Sequence, residues 1–417
     1  MLNIISNAVG VCSAALSKIK KVSQPVTKFV LHILPLWLGM NCRLTFMNMQ
    51  RWGGRNEKSY RSMFSKTFDW FSFNYEVVKA CFGNRKVIAV FDPSYISKSG
   101  KKTYGLAKFY SGTAGRALSG LEIGCLAFVG VSDHTALHAL AVQSPTPASL
   151  HSKGKTLVDH YVRVLSDHVE QIKALTPYVV VDGYFMKKDF INPLLELGLQ
   201  IITKTRSDAN LRYLYKGKQK DRGRKRVCDG KIDTGRVDGR RLRCICSNKQ
   251  RDVFAGDVYS VLLQRKVLAA FIYYKDPKTG QYKTTKKGKV KPEIVISTDT
   301  ALTARTMEAY YDLRFQVEFL IRDSKSYAGL DDCQARGKEK LHNHFNIAMT
   351  AVSVAKAAYY LSLNRKERAG FSMADVKMIH MNELIANRIF SILDVDPSSE
   401  KYQQAYENCL NFGRLRA

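Results

Sequence analysis

Negative charge is the scarcest property of this sequence. Asp and Glu number 36 against 66 Lys and Arg, a formal net charge of +30. An excess of that size excludes a self-neutralising surface and points to a polyanionic partner. DNA or RNA comes first, an anionic membrane surface second, and a basic ribosome-associated protein is the plainest alternative. Cysteine is sparse and unpaired in spacing: nine are scattered with no CxxC or Cys/His pattern, which excludes the usual zinc arrangements and suits reduced cytosolic thiols. Long apolar runs are also missing. Residues 29–40 are interrupted by His32 and Pro35 and are too short to span a bilayer. The opening Met-Leu-Asn-Ile-Ile-Ser has no charged n-region, so no signal peptide is expected, and a cytoplasmic protein without membrane contact is. Tryptophan occurs only at 37, 52 and 70. There is no internal repeat and no long low-complexity segment.

What is present follows an α/β order. Ile5, Val9, Cys12, Leu16 and Ile19 have helical spacing over 3–20. Residues 41–83 read as helical with a break at Gly53-Gly54. Arg51, Trp52, Arg55, Lys58, Tyr60 and Arg61 give them a basic, aromatic character suited to DNA binding or assembly, or to a solvated helix pair. Strands are expected at Lys86 to Phe91, 121–131, 137–143, Tyr178 to Val181, Leu199 to Thr203 and 293–298, with helices at 155–175 and 186–198. A Lys- and Gly-rich hairpin, Ser97 to Lys102, follows the first strand. Residues 205–291 break the pattern with a basic run, Lys216 to Arg226, and β-like segments at 241–247, 252–264 and 266–275. Thr298, Asp299 or Thr300 could cap a helix over 303–326. A second helix is expected at 341–363 and short helices in 371–412. The expected division is 1–83, 84–204, 205–291, 292–365 and 366–417, around a mixed sheet.

On a continuous helix over 303–326, Tyr311, Arg314, Glu318 and Lys325 fall within roughly a 60° arc at 100° per residue. Leu313, Val317, Leu320 and Ile321 form an apolar face about 100° away. One carboxylate, two cations and a phenol on one stripe suit metal and phosphate better than a core. Asp92 and Asp182 each end a buried strand run and could bring further carboxylates. Hard oxygen ligands suit Mg²⁺, and two such ions roughly 3.5–4 Å apart can activate a nucleophile and stabilise a leaving oxygen. Arg314 and Lys325 would hold phosphates as a fork and a point charge. The plain alternative is an Arg314–Glu318 ion pair on a solvated helix.

The stretch Tyr311-Asp-Leu-Arg314-Phe-Gln-Val-Glu318-Phe-Leu-Ile-Arg-Asp-Ser-Lys325 matches Y-x2-R-x3-E-x6-K without a gap. It thereby resembles the YREK signature of the DDE transposases of the fourth insertion-sequence family. Phe91-Asp92-Pro-Ser-Tyr-Ile-Ser-Lys98-Ser-Gly100-Lys-Lys-Thr103-Tyr-Gly105 and Val179-Val-Val-Asp182-Gly183-Tyr-Phe resemble the contexts of that family's two Asp residues. The resemblance covers about residues 45–360. It implies an RNase H-like core with flanking helices and a β-rich insertion, a helical N-terminal region and a helical tail. It implies Asp92, Asp182 and Glu318 as a triad holding two Mg²⁺ ions, with Mn²⁺ as a possible substitute. It further implies DNA partners, namely terminal inverted repeats and target DNA, and a homodimer that pairs the two ends. Family members excise their element by double-strand cleavage and join it to target DNA by strand transfer, some through a hairpin. In that scheme Tyr311, Arg314 and Lys325 handle the phosphates and a flipped base at the element end. Lys98, Lys101, Lys102, Arg322, Arg224, Lys225 and Arg226 are further DNA-contact candidates.

One departure stands out. Better-understood relatives stack a displaced base on a Trp of the insertion, and this chain has no Trp there. Tyr259, Tyr273 or Tyr274 could substitute, since any aromatic face stacks on a base. Two other readings fit the same residues: an RNase H-like nuclease without strand transfer, and a transposase-derived DNA-binding protein without enzymatic activity.

Overall fold

A computed structural model describes residues 4–20, 22–363, 370–393, 396 and 398–414. The expected boundary at 365/366 and residue 3 lie outside the described residues. In chain order the elements begin with α1 (Ile4–Lys18), α2 (Gln24–Gly39), α3 (Phe46–Gly53), α4 (Glu57–Met63) and α5 (Trp70–Phe82). Thr45, Asn56 and Asp69 cap α3, α4 and α5 by accepting the backbone N–H three residues on, and Gly54 (φ 70°) ends α3 in the left-handed conformation. Then come β1 (Val87–Ser97), β2 (Ala107–Ser111), β3 (Arg116–Gly130), β4 (Thr135–Gln143), α6 (Pro147–His151), α7 (Leu157–Ser166), α8 (Val169–Leu175), β5 (Tyr178–Val181), a 3₁₀ turn (Gly183–Phe185), α9 (Lys188–Glu196) and β6 (Gln200–Thr205). The insertion supplies β7 (Leu211–Leu214), β8 (Cys228–Lys231), β9 (Arg243–Ser247), β10 (Arg251–Ser260) and β11 (Arg265–Tyr274). β12 (Glu293–Ser297), α10 (Ala304–Asp312), α11 (Phe315–Tyr327), α12 (Lys338–Ser362), α13 (Met373–Leu393) and α14 (Glu400–Asn411) complete the described chain. The class is mixed α/β, as expected of an RNase H-like core with helical flanks.

Two compact units are distinguished. The first comprises Met1–Arg85, Pro93–Pro147 and Gln316–Ala417, and the second Lys86–Asp92 and Ala148–Phe315. In the first unit, α12 is buried on all sides over most of its length, as a helix apolar around its circumference must be. Its polar residues are spent on neighbours. Asn343 accepts from Trp70 Nε1 at 2.7 Å. Asn346 bonds both the N–H and the C=O of Ala141 in β4, at 2.9 Å each, so a side-chain amide satisfies backbone groups of that strand. Trp37 Nε1 donates to Ala328 O at 2.8 Å, and Tyr60 is buried with its hydroxyl 2.8 Å from His32 Nε2. Trp37, Tyr60 and Trp70 are therefore core groups of this unit.

In the second unit β1, β5 and β6 run parallel. β12, β11, β10, β7 and β8 continue antiparallel, with β9 also on β10. Val87–Phe91, Val179–Val181 and Ile201–Ile202 are buried, the continuous apolar runs of strands covered on both faces.

Several boundaries differ from expectation. The helix expected over 155–175 is two, α7 and α8, because α7 closes at Asp167 and His168 is bonded through Leu165 O in a tighter turn. β2, β7 and β8 are additional strands; each is four or five residues long, too short for alternation to stand out. The tail contains one long helix, α13, of 21 residues. Thr303 rather than Thr298, Asp299 or Thr300 caps α10, its hydroxyl accepting from Thr306 N at 3.1 Å. Thr298 and Asp299 are already bonded to Gln200 and Tyr178, respectively.

Candidate active site

Strand pairing sets the positions of the two aspartates. Ala89, Val90 and Phe91 of β1 register with Val179, Val180 and Val181 of β5. Asp92 and Asp182 are the next residue on each strand, side by side at the end of the paired stretch. Adjacent strands lie about 4.8 Å apart, so the backbones that carry the two aspartates are neighbours. Asp92 does not end its strand as expected: β1 continues to Ser97. What changes at Asp92 is burial, from fully covered to half-covered.

The backing of this edge is aromatic. Phe185 lies 5.8 Å from Phe91, 5.6 Å from Tyr161 and 4.6 Å from Phe190 between ring centroids. Buried aromatic clusters are rigid and space-filling, which steadies the turn after Asp182. Thr203 Oγ1 donates to the carbonyl of Asp182 at 3.0 Å. A Cβ at Gly183 would stand 3.2 Å from the Lys204 carbonyl oxygen, so a larger residue there would require β6 to give by a few tenths of an ångström. Thr203 carries no sequence signal of function, whereas Phe185 closes the stretch that resembles the second Asp context; Thr203 touches the turn at Asp182 and Phe185 is part of it.

Arg314 Nη1 is 4.0 Å from Asp92 Oδ1, with side chains 9% and 19% exposed. The guanidinium also lies over the Tyr311 ring at 5.9 Å and the Phe315 ring at 5.0 Å, within cation–π range. Tyr311 is buried, and burial pushes its phenol up to about 12. Arg314 opposes that rise, while Asp182 and Glu293 add to it. Asp92, Asp182, Tyr311 and Arg314 thus belong to one electrostatic neighbourhood. α10, which carries Tyr311, is tied to the insertion by the Arg251–Glu308 ion pair and by Arg305 Nη2 to Ile245 O at 3.2 Å.

The single helix expected over 303–326 is broken. Leu313 closes α10, and Arg314 N bonds to Tyr311 O at 3.1 Å, an i to i−3 contact that tightens the chain before α11 begins. The roughly 60° stripe requires a continuous helix and does not carry across this link. Tyr311 lies on α10, Arg314 in the link, and Glu318 and Lys325 on α11. Lys325 Nζ donates to Tyr95 O at 2.6 Å, and Lys98 Nζ donates to Cys333 O. Lys101 and Lys102 are exposed. Arg322 is exposed and pairs with Asp323 at 3.1 Å. Arg224, Lys225 and Arg226 lie on the exposed loop before β8, and Arg226 pairs with Asp229 at 2.8 Å.

Of the three tyrosines that could replace the missing Trp, Tyr273 is excluded. It is 2% exposed, and its hydroxyl donates to Thr234 O at 2.7 Å. Tyr274 is 40% exposed, and Tyr259 is partly covered.

The donor chemistry at the strand edge suits a hard divalent cation, because Asp92 and Asp182 offer carboxylate oxygens on neighbouring strands. Among the described residues no three His, Cys, Asp or Glu are gathered so as to hold a metal ion. No helix among them is long and apolar enough to cross a membrane.

Residues 132–354, just over half of the chain, match the family model described as the transposase DDE domain. The match contains Asp182, Tyr311, Arg314, Glu318 and Lys325 and begins after Asp92. The chain belongs to the transposase DDE domain family. It is accordingly a transposase, with DNA as its partner, and domains of this kind generally use divalent metal ions. No curated protein matches the chain.

Proposed function

We propose that this protein is a cut-and-paste DNA transposase of the fourth insertion-sequence family, with Asp92, Asp182 and Glu318 as its catalytic carboxylates. The observation that carries the proposal is the register of β1 on β5, which sets Asp92 beside Asp182, with Arg314 facing Asp92. The ungapped Tyr311, Arg314, Glu318, Lys325 spacing supports the family. The reaction combines cleavage of both strands at each element end with strand transfer, and its first and last steps are these. Water adds to the phosphorus at the element boundary, and the 3′ oxygen leaves as a hydroxyl. That 3′-OH then attacks a target phosphodiester and displaces the target's own 3′-OH.

Asp92 and Asp182, with Glu318 assigned by the motif spacing and not by a gathered cluster, would hold two Mg²⁺ ions, or Mn²⁺ in their place. When bound, such ions activate water and neutralise charge on the leaving oxygen. The chain's own cations do the rest. Arg314 would orient the scissile phosphate, moving from its contact with Asp92 to the DNA. Lys325 would hold a neighbouring phosphate as a point charge. Tyr311, kept neutral by burial, would serve as a hydrogen-bond donor at the element end. Tyr274 is the proposed stacking surface for a displaced base. The basic insertion over 205–291 and the N-terminal region would add DNA contacts, and two copies would pair the two ends.

The test is cleavage and joining on DNA carrying the element's terminal inverted repeats. Asp92→Ala, Asp182→Ala and Glu318→Ala should each abolish Mg²⁺-dependent cleavage while leaving end binding intact. Retained cleavage by Glu318→Ala would sink the assignment of the third carboxylate. Joining of pre-cleaved ends to target DNA separates a transposase from a nuclease without strand transfer.

A further inference from the structure

A large cleft in the first unit is not accounted for by the carboxylates. Its volume is about 1280 Å³, and it draws its lining from three distant segments: Arg43 and Arg61, the loop Ser97 to Thr103 with Ser119, and the stretch Asp331 to Lys340. Six of the lining residues are Lys or Arg and three are Asp or Glu. Of those acids, Asp332 is turned to the backbone, its Oδ2 accepting from Leu44 N at 2.9 Å. Arg61 is held by Glu57, and Lys98 by the Cys333 carbonyl. Arg43, Arg336, Lys338 and Lys340 have no ion-pair partner among the described residues. The six cations outnumber the three acids of the lining, and a bound polyanion relieves the repulsion that such an excess creates.

The walls are braced before any ligand arrives. Lys98 Nζ to Cys333 O, Tyr104 N to Arg336 O at 2.9 Å and Leu44 N to Asp332 tie the three segments together. The N-terminus of α12 also opens here. Its N-cap, Gly337, offers no side-chain cap, so first-turn N–H groups and the positive end of the helix dipole add to the cations. The hydroxyls of Ser97 and Ser99 supply uncharged donors on the same wall. Among the described residues no Phe, Tyr, Trp or His lines the cleft, so they offer no ring to stack on a base. The volume is several times that of a single phosphate group.

We infer that this cleft grips the phosphodiester backbone of duplex DNA without reading its bases, joining the N-terminal helices, the loop after β1 and the start of α12 as one DNA surface. The inference rests on the transposase reading for its choice of polyanion, and it assigns contacts to Arg43, Arg336, Lys338 and Lys340. Backbone contacts of this kind fix position and carry no sequence information.

The test is binding of the full chain to duplexes of equal length and unrelated sequence over a range of salt. In the variant R43Q/R336Q/K338Q/K340Q, the slope of log K against log salt should fall by up to about 0.9 for each cation that meets a phosphate. Affinity at low salt should fall about tenfold or more, equally for every sequence. K338Q alone, at an exposed position, should lower the slope by up to about 0.9, and it serves if the fourfold variant does not fold. An unchanged slope in a folded variant, a loss confined to one sequence, or full displacement of DNA by equimolar pyrophosphate would each overturn the inference. The transposase reading fails separately: wild-type protein that binds DNA through the cleft but never cleaves or joins it sinks that reading and leaves the cleft standing.

Discussion

Arg314 Nη1 stands 4.0 Å from Asp92 Oδ1, and both side chains are largely covered. The two residues are 222 positions apart in the sequence, so only folding creates the relationship. Replacing either removes one electrostatic contact of a largely covered charge, at a cost of about 1–3 kcal/mol. Arg314→Gln and Asp92→Asn should each destabilise the protein. The double variant should be less destabilised than the sum, and a double-mutant cycle by denaturant unfolding reads this directly. Additive effects would mean that the pair does not interact in solution.

Thr203→Val removes the hydroxyl that holds the Asp182 carbonyl and keeps the β-branched shape. About 1 kcal/mol of stability should be lost. The rate of DNA cleavage should fall more than that figure implies, with DNA affinity unchanged, because Asp182 would be placed less firmly. Single-turnover cleavage and equilibrium binding measured side by side make the distinction.

Adjacent tyrosines should behave oppositely. Tyr273→Ala removes a buried ring and its bond to Thr234 and should cost about 3–5 kcal/mol, as large core truncations do. Tyr274→Ala alters a side chain 40% exposed and should change stability by about 0.5 kcal/mol or less. If Tyr274 stacks on a displaced base, its loss should instead slow the steps that follow first-strand cleavage. Thermal unfolding and a time course of DNA intermediates report the two effects.

The packing of α14 on α13 should depend on pH. Burial raises the Glu383 carboxyl from its ordinary 4.5 to about 7, against the opposing hydrogen bonds of Tyr406 and Asn387. A carboxyl with a raised folded pKa favours the docked state when protonated. Its contribution is therefore full below about 4.5 and is lost as the pH rises through about 7. Hydrogen exchange over 400–411, corrected for intrinsic rates, should show weaker protection at about pH 8 than at about pH 5. Glu383→Gln should remove the difference.

The basic run from Lys216 to Arg226 makes a separate electrostatic prediction. Replacing its Lys and Arg by Gln should flatten the salt dependence of DNA binding by about 0.9 for each phosphate that is no longer neutralised. Arg226 should contribute least, since Asp229 already pairs with it. A slope unchanged in the neutralised protein would show that the run is only solvated.

Much of the core was legible in the sequence because its signals are local. Val87–Phe91 and Tyr178–Val181 are short apolar runs rich in β-branched and aromatic residues, and β10 and β11 overlap the β-like segments expected over 252–264 and 266–275. The break between α10 and α11 was not legible: Tyr311 to Lys325 contains neither Gly nor Pro. The i to i−3 bond from Arg314 N to Tyr311 O is a backbone event that no residue type in the stretch announces. Tyr273 and Tyr274 looked equivalent in sequence. β11 is covered without a break from Val267 to Tyr273, and the cover ends at its last residue, Tyr274, a limit set by what packs over the sheet and not by the residue type.

By itself the sequence determined the surplus of cations, the residue types able to bind metal and phosphate, and the fixed spacing from Tyr311 to Lys325, all properties of composition and order along the chain. Tertiary structure alone decided that Asp92 stands beside Asp182 and faces Arg314. It also decided that Trp37, Tyr60 and Trp70 are core groups and that Arg43 shares a cleft with Arg336. Such relationships are set by strand register and by the burial of apolar faces, which act between residues far apart in the chain and leave no local mark on it.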